Sequence, residues 1–164
     1  DREGFYSWSG LRYFLYEYEL YLQDNANMKV SWEDFNKRKK EDTIEHIYPQ
    51  SPNDIYWKNR FGHLKPSEKR QYLNSLGNLL LLNRSKNSKL QNYDFDKKKC
   101  LLNKDGKEIG YYNGSYSEIE VSKHKEWTPD EIKKRGLLML QFMEERWKFS
   151  FDNWNISKED ILFP

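Results

Sequence analysis

The chain has 164 residues and a formal net charge of +2, with 33% charged, 37% hydrophobic and 16% aromatic residues. This is the size of one ordinary domain, and 6 Trp, 12 Tyr and 9 Phe supply core bulk that the aliphatic residues alone would not, which excludes a wholly disordered chain. Cys100 is the only cysteine, so an intrachain disulfide and a cysteine-based zinc site are excluded, and no stretch approaches the ~20 apolar residues of a membrane span.

A reducing, cytoplasmic setting is expected from this cysteine usage. The sequence opens at Asp1 on helical sequence without an initiator Met, which reads as a piece of a longer protein.

The first predicted element is a helix over residues 10–24. Leu11, Phe14, Leu15, Tyr18 and Leu22 fall on one apolar face, and residues 24–27 end it. Ser31, followed by Glu33 and Asp34, predicts a second helix start leading into the basic run Lys37, Arg38, Lys39 and Lys40. Thr43–Ile47 is a short strand candidate stopped by Pro49. Residues 51–76 carry turn and helix signals, with Ser51-Pro52-Asn53-Asp54 as one cap and Lys65-Pro66-Ser67-Glu68 as another. Asn78–Asn83 is a continuous apolar run behind Gly77, too short for a buried helix and read as a second strand.

From Ser85 to about Tyr93 the sequence is polar and suits a helix. Residues 103–117, rich in Gly, Asn and Ser, read as loop. The last element opens at Thr128-Pro129-Asp130-Glu131, where Thr128 is the N-cap, Pro129 the first helical residue and Glu131 the partner in a capping box; it runs to Trp147. No repeat or linker divides the chain, so residues 1–164 are expected to form a single domain of the α+β class.

The chemistry concentrates in Glu45-His46-Ile47-Tyr48-Pro49-Gln50, then Gly77-Asn78-Leu79, then Asn87 nine residues after Asn78. Hydrolysis of a phosphodiester needs an activated water, a cation to offset growing negative charge, and fixed geometry between them. Histidine suits proton transfer near neutral pH, and carboxylate and amide oxygens suit a hard ion such as Mg²⁺. On a strand Glu45 and His46 point to opposite faces, so they can share one ion and one water only where the strand twists or ends. Asn78 could brace the loop after His46 through side-chain-to-backbone hydrogen bonds. Each piece alone is weak, because Glu-His pairs, Gly-Asn turns and helix-capping Asn are common. Their order and spacing carry the signal.

That order resembles a known family. EHIYPQS followed by GNLLLLNRSKNSKLQN is similar to the HNH (His-Me finger) nuclease domain of CRISPR-guided DNA-cutting enzymes. The whole chain looks like the C-terminal domain of GmrSD-type, modification-dependent (type IV) restriction enzymes. This likeness runs from Phe5-Tyr6-Ser7-Trp8 and LRYFLYEYE through Phe95, Lys97 and Lys98 to Trp127-Thr128, Ile132, Arg135 and Trp147. The resemblance implies a mostly helical domain with an embedded ββα-metal motif holding one divalent ion, usually Mg²⁺ with Mn²⁺ as a substitute. It implies His46 as general base, Asn78 as loop brace, and Asn87 and Glu45 as metal ligands; Glu45 stands where such motifs often carry Asp. It also implies an N-terminal ParB-like nucleotide-hydrolysing domain as a partner in the same polypeptide or complex, and restriction of foreign or phage DNA as the role.

Arg84, Lys86, Lys89, Lys97 and Lys98 are candidates for gripping DNA phosphates, although runs of like charge are most often solvated faces. His63 and His124 lack a partner at a recognisable spacing and read as structural or surface residues. The aromatic opening reads as core or as an interface with the N-terminal domain ahead of a base-stacking surface. Two other functions stand beside the metal-dependent DNA endonuclease: a nucleic-acid-binding module of the same fold without catalysis, and a zinc hydrolase, for which no His-x-x-x-His pair exists. RNA as substrate and a homo-oligomer remain open.

Overall fold

The structure, a computed structural model, describes residues 4–24 and 31–164. Residues 25–27 of the expected first helix stop lie outside the described residues. Among the described residues the chain is mostly helical, with two small two-stranded sheets.

Helix α1 spans Leu11–Leu22 and buries Leu11, Phe14, Leu15 and Tyr18 along the face that the spacing predicts. Helix α2, Trp32–Glu41, starts where Ser31 accepts a hydrogen bond from the Asp34 amide and ends on the basic run, which suits its C-terminal dipole. It runs directly into β1, Asp42–His46, which pairs antiparallel with β2, Leu79–Asn83, with Asp42 opposite Asn83 and His46 opposite Leu79. Between the strands lie α3, Ile55–Phe61, capped by Asp54, and α4, Pro66–Asn74. Helix α5, Arg84–Leu90, follows β2 without a gap and runs back along the pair; its N-cap is Asn83.

The remaining elements close the domain: α6 (Phe95–Lys99), α7 (Tyr116–Ser122), α8 (Pro129–Trp147) and α9 (Lys158–Leu162). Thr128 and Glu131 form the predicted capping box at the start of α8, with Pro129 in the first turn. Residues 103–117 are not wholly loop. Leu101–Leu102 (β3) pairs with Glu108–Ile109 (β4), and α7 opens at Tyr116 on a capping box of Ser115 and Glu118.

The four leucines of β2 are apolar without alternation because both faces of the strand are covered. Leu79 and Leu81 pack with α1 and with Met139, Leu140 and Phe142 of α8. Leu80 and Leu82 pack on the other side with Trp57, Phe61, Phe95, Tyr111 and Trp127. The turn before β2, Leu76–Asn78, presses against α8. A Cβ at Gly77 would lie 1.9 Å from the Ile132 carbonyl oxygen and 2.7 Å from the Gly136 nitrogen. Only glycine admits this approach, and the buried Arg135 secures it by donating to the carbonyls of Gly77 and Leu79, each at 2.9 Å. Asn78 is thereby fixed beneath the end of β1. No described helix is long and apolar enough to cross a membrane.

Candidate active site

The site lies at the C-terminal end of β1, where a polar cleft of about 130 Å³ is lined by Glu45, His46, Gln50, Asn87, Gln91 and Asn92 among others. Strand alternation puts Thr43 and Glu45 on the α5 side and His46 on the other. His46 is the last paired residue, and there both side chains reach the one cleft.

The imidazole of His46 is held from two sides. Its Nε2 lies 3.2 Å from Oδ1 of Asn74, the last residue of α4. The Tyr6 ring covers it, with centroids 4.5 Å apart. An amide oxygen facing Nε2 favours the tautomer with the ring proton on Nε2 and Nδ1 as the basic nitrogen. Burial pushes the His46 pKa from 6.5 down to about 4, the Asn74 hydrogen bond opposes the fall and the Lys98 charge adds to it. His46 is therefore neutral at pH 7.

Asn78 has no exposed surface, and its side chain makes four hydrogen bonds. Its Oδ1 accepts from the Tyr48 amide at 2.7 Å and from Trp127 Nε1 at 3.1 Å. Its Nδ2 donates to the carbonyls of Tyr48 at 3.0 Å and Leu73 at 2.9 Å. One side chain thus ties the segment after His46 to the end of α4, next to Asn74.

Glu45 is buried and already partnered. Lys98, fully buried on α6, places its ammonium 2.6 Å from Glu45 Oε1 and also donates to the His46 carbonyl at 2.9 Å. The Tyr111 hydroxyl donates to the same Oε1 at 2.8 Å; burial first, then the Glu45 carboxylate, raises its pKa well above 10. On the same side of the strand, Asn87 donates through Nδ2 to Thr43 Oγ1 at 2.8 Å, which leaves its Oδ1 as the acceptor for other groups. No group of three His, Cys, Asp or Glu among the described residues could hold a metal ion. The cleft instead offers the Glu45 carboxylate together with the amide side chains of Gln50, Asn87, Gln91 and Asn92.

The family model for the C-terminal domain of GmrSD restriction endonucleases matches residues 2–142. The chain belongs to this family. No curated protein and no solved structure shows a significant match to it.

In this GmrSD C-terminal domain the five basic residues expected to grip phosphates divide. Arg84 and Lys89 are exposed on α5, and Lys97 is exposed while paired with Asp94 at 2.9 Å. Lys86 is turned inward to Glu118 at 2.6 Å and to the Gly110 carbonyl at 3.0 Å. Lys98 corrects the expectation outright: sealed in the interior against Glu45, it is no surface cation. Arg84 sits at the Asn83 end of the strand pair, four strand residues from His46 and so ~13 Å away along β1. His63 is exposed, and His124 is half-buried with its ring edge-on to Trp127 at 5.3 Å. Phe5 packs against the α1–α8 core, whereas Tyr6 and Trp8 keep 38% and 41% of their surface exposed.

Asn74, Tyr6, Lys98 and Tyr111 are the partners of the site that sequence reasoning did not assign there. Asn74 and Tyr111 carry no local pattern. Lys98 looked like one more residue of a solvated basic run.

Proposed function

We propose that this domain is a metal-dependent endonuclease of the HNH type that hydrolyses phosphodiester bonds in DNA, with His46 as general base. The observation that carries this reading is the convergence of Glu45, His46 and Asn87 on one small polar cleft, with His46 Nε2 engaged by Asn74 and Nδ1 left to take a proton. A water poised at Nδ1 would lose its proton there as it attacks phosphorus, and the ester bond from phosphorus to the departing 3′ oxygen would break.

Asn74 selects the tautomer and Tyr6 limits rotation of the ring. Asn78 fixes the segment after His46 as its brace, and Lys98 links the Glu45 carboxylate to the His46 carbonyl. The donor set fits a hard divalent ion, Mg²⁺ or Mn²⁺. Glu45 would contribute Oε2, because Oε1 is held by Lys98 and Tyr111, and Asn87 would contribute Oδ1, because its nitrogen is held by Thr43. A bound ion would supply charge that offsets the negative charge growing on the phosphate.

Restriction of foreign or phage DNA in the cytoplasm is the biological role in this reading, with a ParB-like nucleotide-hydrolysing domain N-terminal to the chain controlling it. A second reading, a module that binds nucleic acid without cutting it, draws on the Lys98–Glu45 pair, since the lysine already supplies positive charge beside the carboxylate.

Plasmid cleavage separates the two. Wild type is compared with His46→Ala and Asn87→Ala in Mg²⁺, Mn²⁺ or EDTA, on unmodified DNA and on phage DNA with modified cytosines. Metal-dependent nicking or linearisation that vanishes in His46→Ala, and needs more metal in Asn87→Ala, supports the nuclease. Undiminished cutting by His46→Ala removes His46 as the base. DNA binding without cutting by the full-length wild type supports the module.

A further inference from the structure

Helix α5 leaves the cleft through a turn whose backbone does not suit its sequence. Gln91 has φ 43° and ψ −131°, and the Tyr93 amide donates to the Leu90 carbonyl at 3.2 Å across it. The Gln91 dihedrals and this hydrogen bond fit a type II′ turn, with Gln91 at the position that glycine dominates because a Cβ there crowds the backbone. Glycine would make the same turn without strain. Lys148 and Asn155, two other non-glycine residues with positive φ at helix ends, lie in the ordinary left-handed region with positive ψ.

The strained residue is also in the site. Gln91 and Asn92 line the cleft together with Glu45, His46, Gln50 and Asn87. Strain of this kind persists where the surrounding structure imposes it, and it gathers at sites where a side chain must be aimed. The Gln91 amide nitrogen is a neutral donor on the surface of a cleft whose deeper groups are a carboxylate and an imidazole.

We propose that Gln91 is a substrate-contacting residue whose side-chain amide donates to a non-bridging oxygen of the scissile phosphodiester, aimed by a turn that glycine would otherwise occupy. This rests on the nuclease reading above. Being uncharged, the contact orients the phosphate without adding to counterion release, unlike the surface lysines and arginines.

The test uses the full-length protein as wild type, Gln91→Gly, Gln91→Ala and His46→Ala, on a labelled duplex. Gln91→Gly should raise Tm by ~3 °C through relief of the turn. It should also lower kcat/KM about tenfold or more, the size of a lost hydrogen bond to a charged group. Gln91→Ala, which keeps a restricted backbone but lacks the amide, should lose a similar factor. The salt dependence of duplex binding should stay as in wild type for both. A glycine variant that is more stable and cuts like wild type overturns the proposal, because the strain would then serve only the turn. Loss of activity together with a lowered Tm overturns it equally, in favour of a packing role. Wild type that binds duplex but does not cut, as His46→Ala does, refutes the nuclease reading and this assignment with it; cutting by wild type alone isolates the Gln91 question.

Discussion

The ammonium of Lys98 lies 2.6 Å from Oε1 of Glu45, with the lysine fully buried and the carboxylate nearly so at the edge of the cleft. A lysine from the middle of a basic run is thus spent inside the molecule. Removing one partner of such a pair leaves the other charge buried and uncompensated, which costs about 3–5 kcal/mol. Lys98→Ala should therefore lower the unfolding free energy by about that amount. Glu45→Gln combined with Lys98→Met, which leaves neither charge behind, should recover most of the loss. Urea-unfolding midpoints measure both effects, and a penalty below about 1 kcal/mol in Lys98→Ala would show that the carboxylate does not depend on this ammonium.

His46 makes stability depend on acid. Its pKa is lowered in the folded chain, from 6.5 to about 4, first by burial. The unfolded chain therefore binds the proton more readily, and stability present above pH 6.5 is lost as pH falls toward 4. The gap corresponds to roughly 3 kcal/mol by pH 4, at 1.36 kcal/mol per pH unit. His46→Gln cannot take up this proton. Its unfolding free energy should fall less than that of wild type between pH 7 and pH 4, by about this margin. Parallel pH dependences in the two proteins would place the imidazole in a wetter setting than the contacts with Tyr6 and Asn74 provide.

Asn74 should decide which ring nitrogen is basic. With its Oδ1 3.2 Å from Nε2, Asn74 favours the Nε2–H tautomer, and among the described residues Nδ1 has no hydrogen-bond partner. In the ¹⁵N spectrum at pH 7, His46 of wild type should show one protonated nitrogen at Nε2 and one unprotonated at Nδ1. Asn74→Ala should give averaged shifts from mixed tautomers, and kcat should fall about 10- to 100-fold with little change in KM. A protonated Nδ1 in wild type would contradict the geometry.

What the sequence disclosed is what local chemistry encodes. The start of α8 was legible because Thr128, Pro129 and Glu131 act within one turn. The strand over residues 79–83 was legible from its length and from Gly77, although its leucines do not alternate, since two separate clusters bury its two faces. The capping box of Ser115 and Glu118 was equally local and was hidden only by the glycine-rich segment before it. By contrast Lys98 and Glu45 are 53 residues apart, Tyr111 and Glu45 are 66 apart and Asn74 and His46 are 28 apart. Contacts between distant segments leave no periodicity to read, so the residues around His46 emerged only once the chain was folded.

The same burial sorts the cations by their effect on DNA binding. A lysine or arginine that neutralises a phosphate releases counterions and steepens the salt dependence of binding by about one unit of slope. Arg84 and Lys89 are exposed on α5 and can do so. Lys98 cannot, and Lys86 is held by Glu118 with a side chain only 20% exposed. Duplex affinity measured by fluorescence anisotropy from about 50 to 200 mM salt should show this division. Arg84→Ala and Lys89→Ala should each reduce the slope of log K against log salt by about 1, whereas Lys86→Met should reduce it by far less. Lys98→Met, which preserves the volume of the buried stem, should leave the slope at its wild-type value. A slope reduced in Lys98→Met as much as in Arg84→Ala would mean that DNA draws this lysine out of its pair with Glu45.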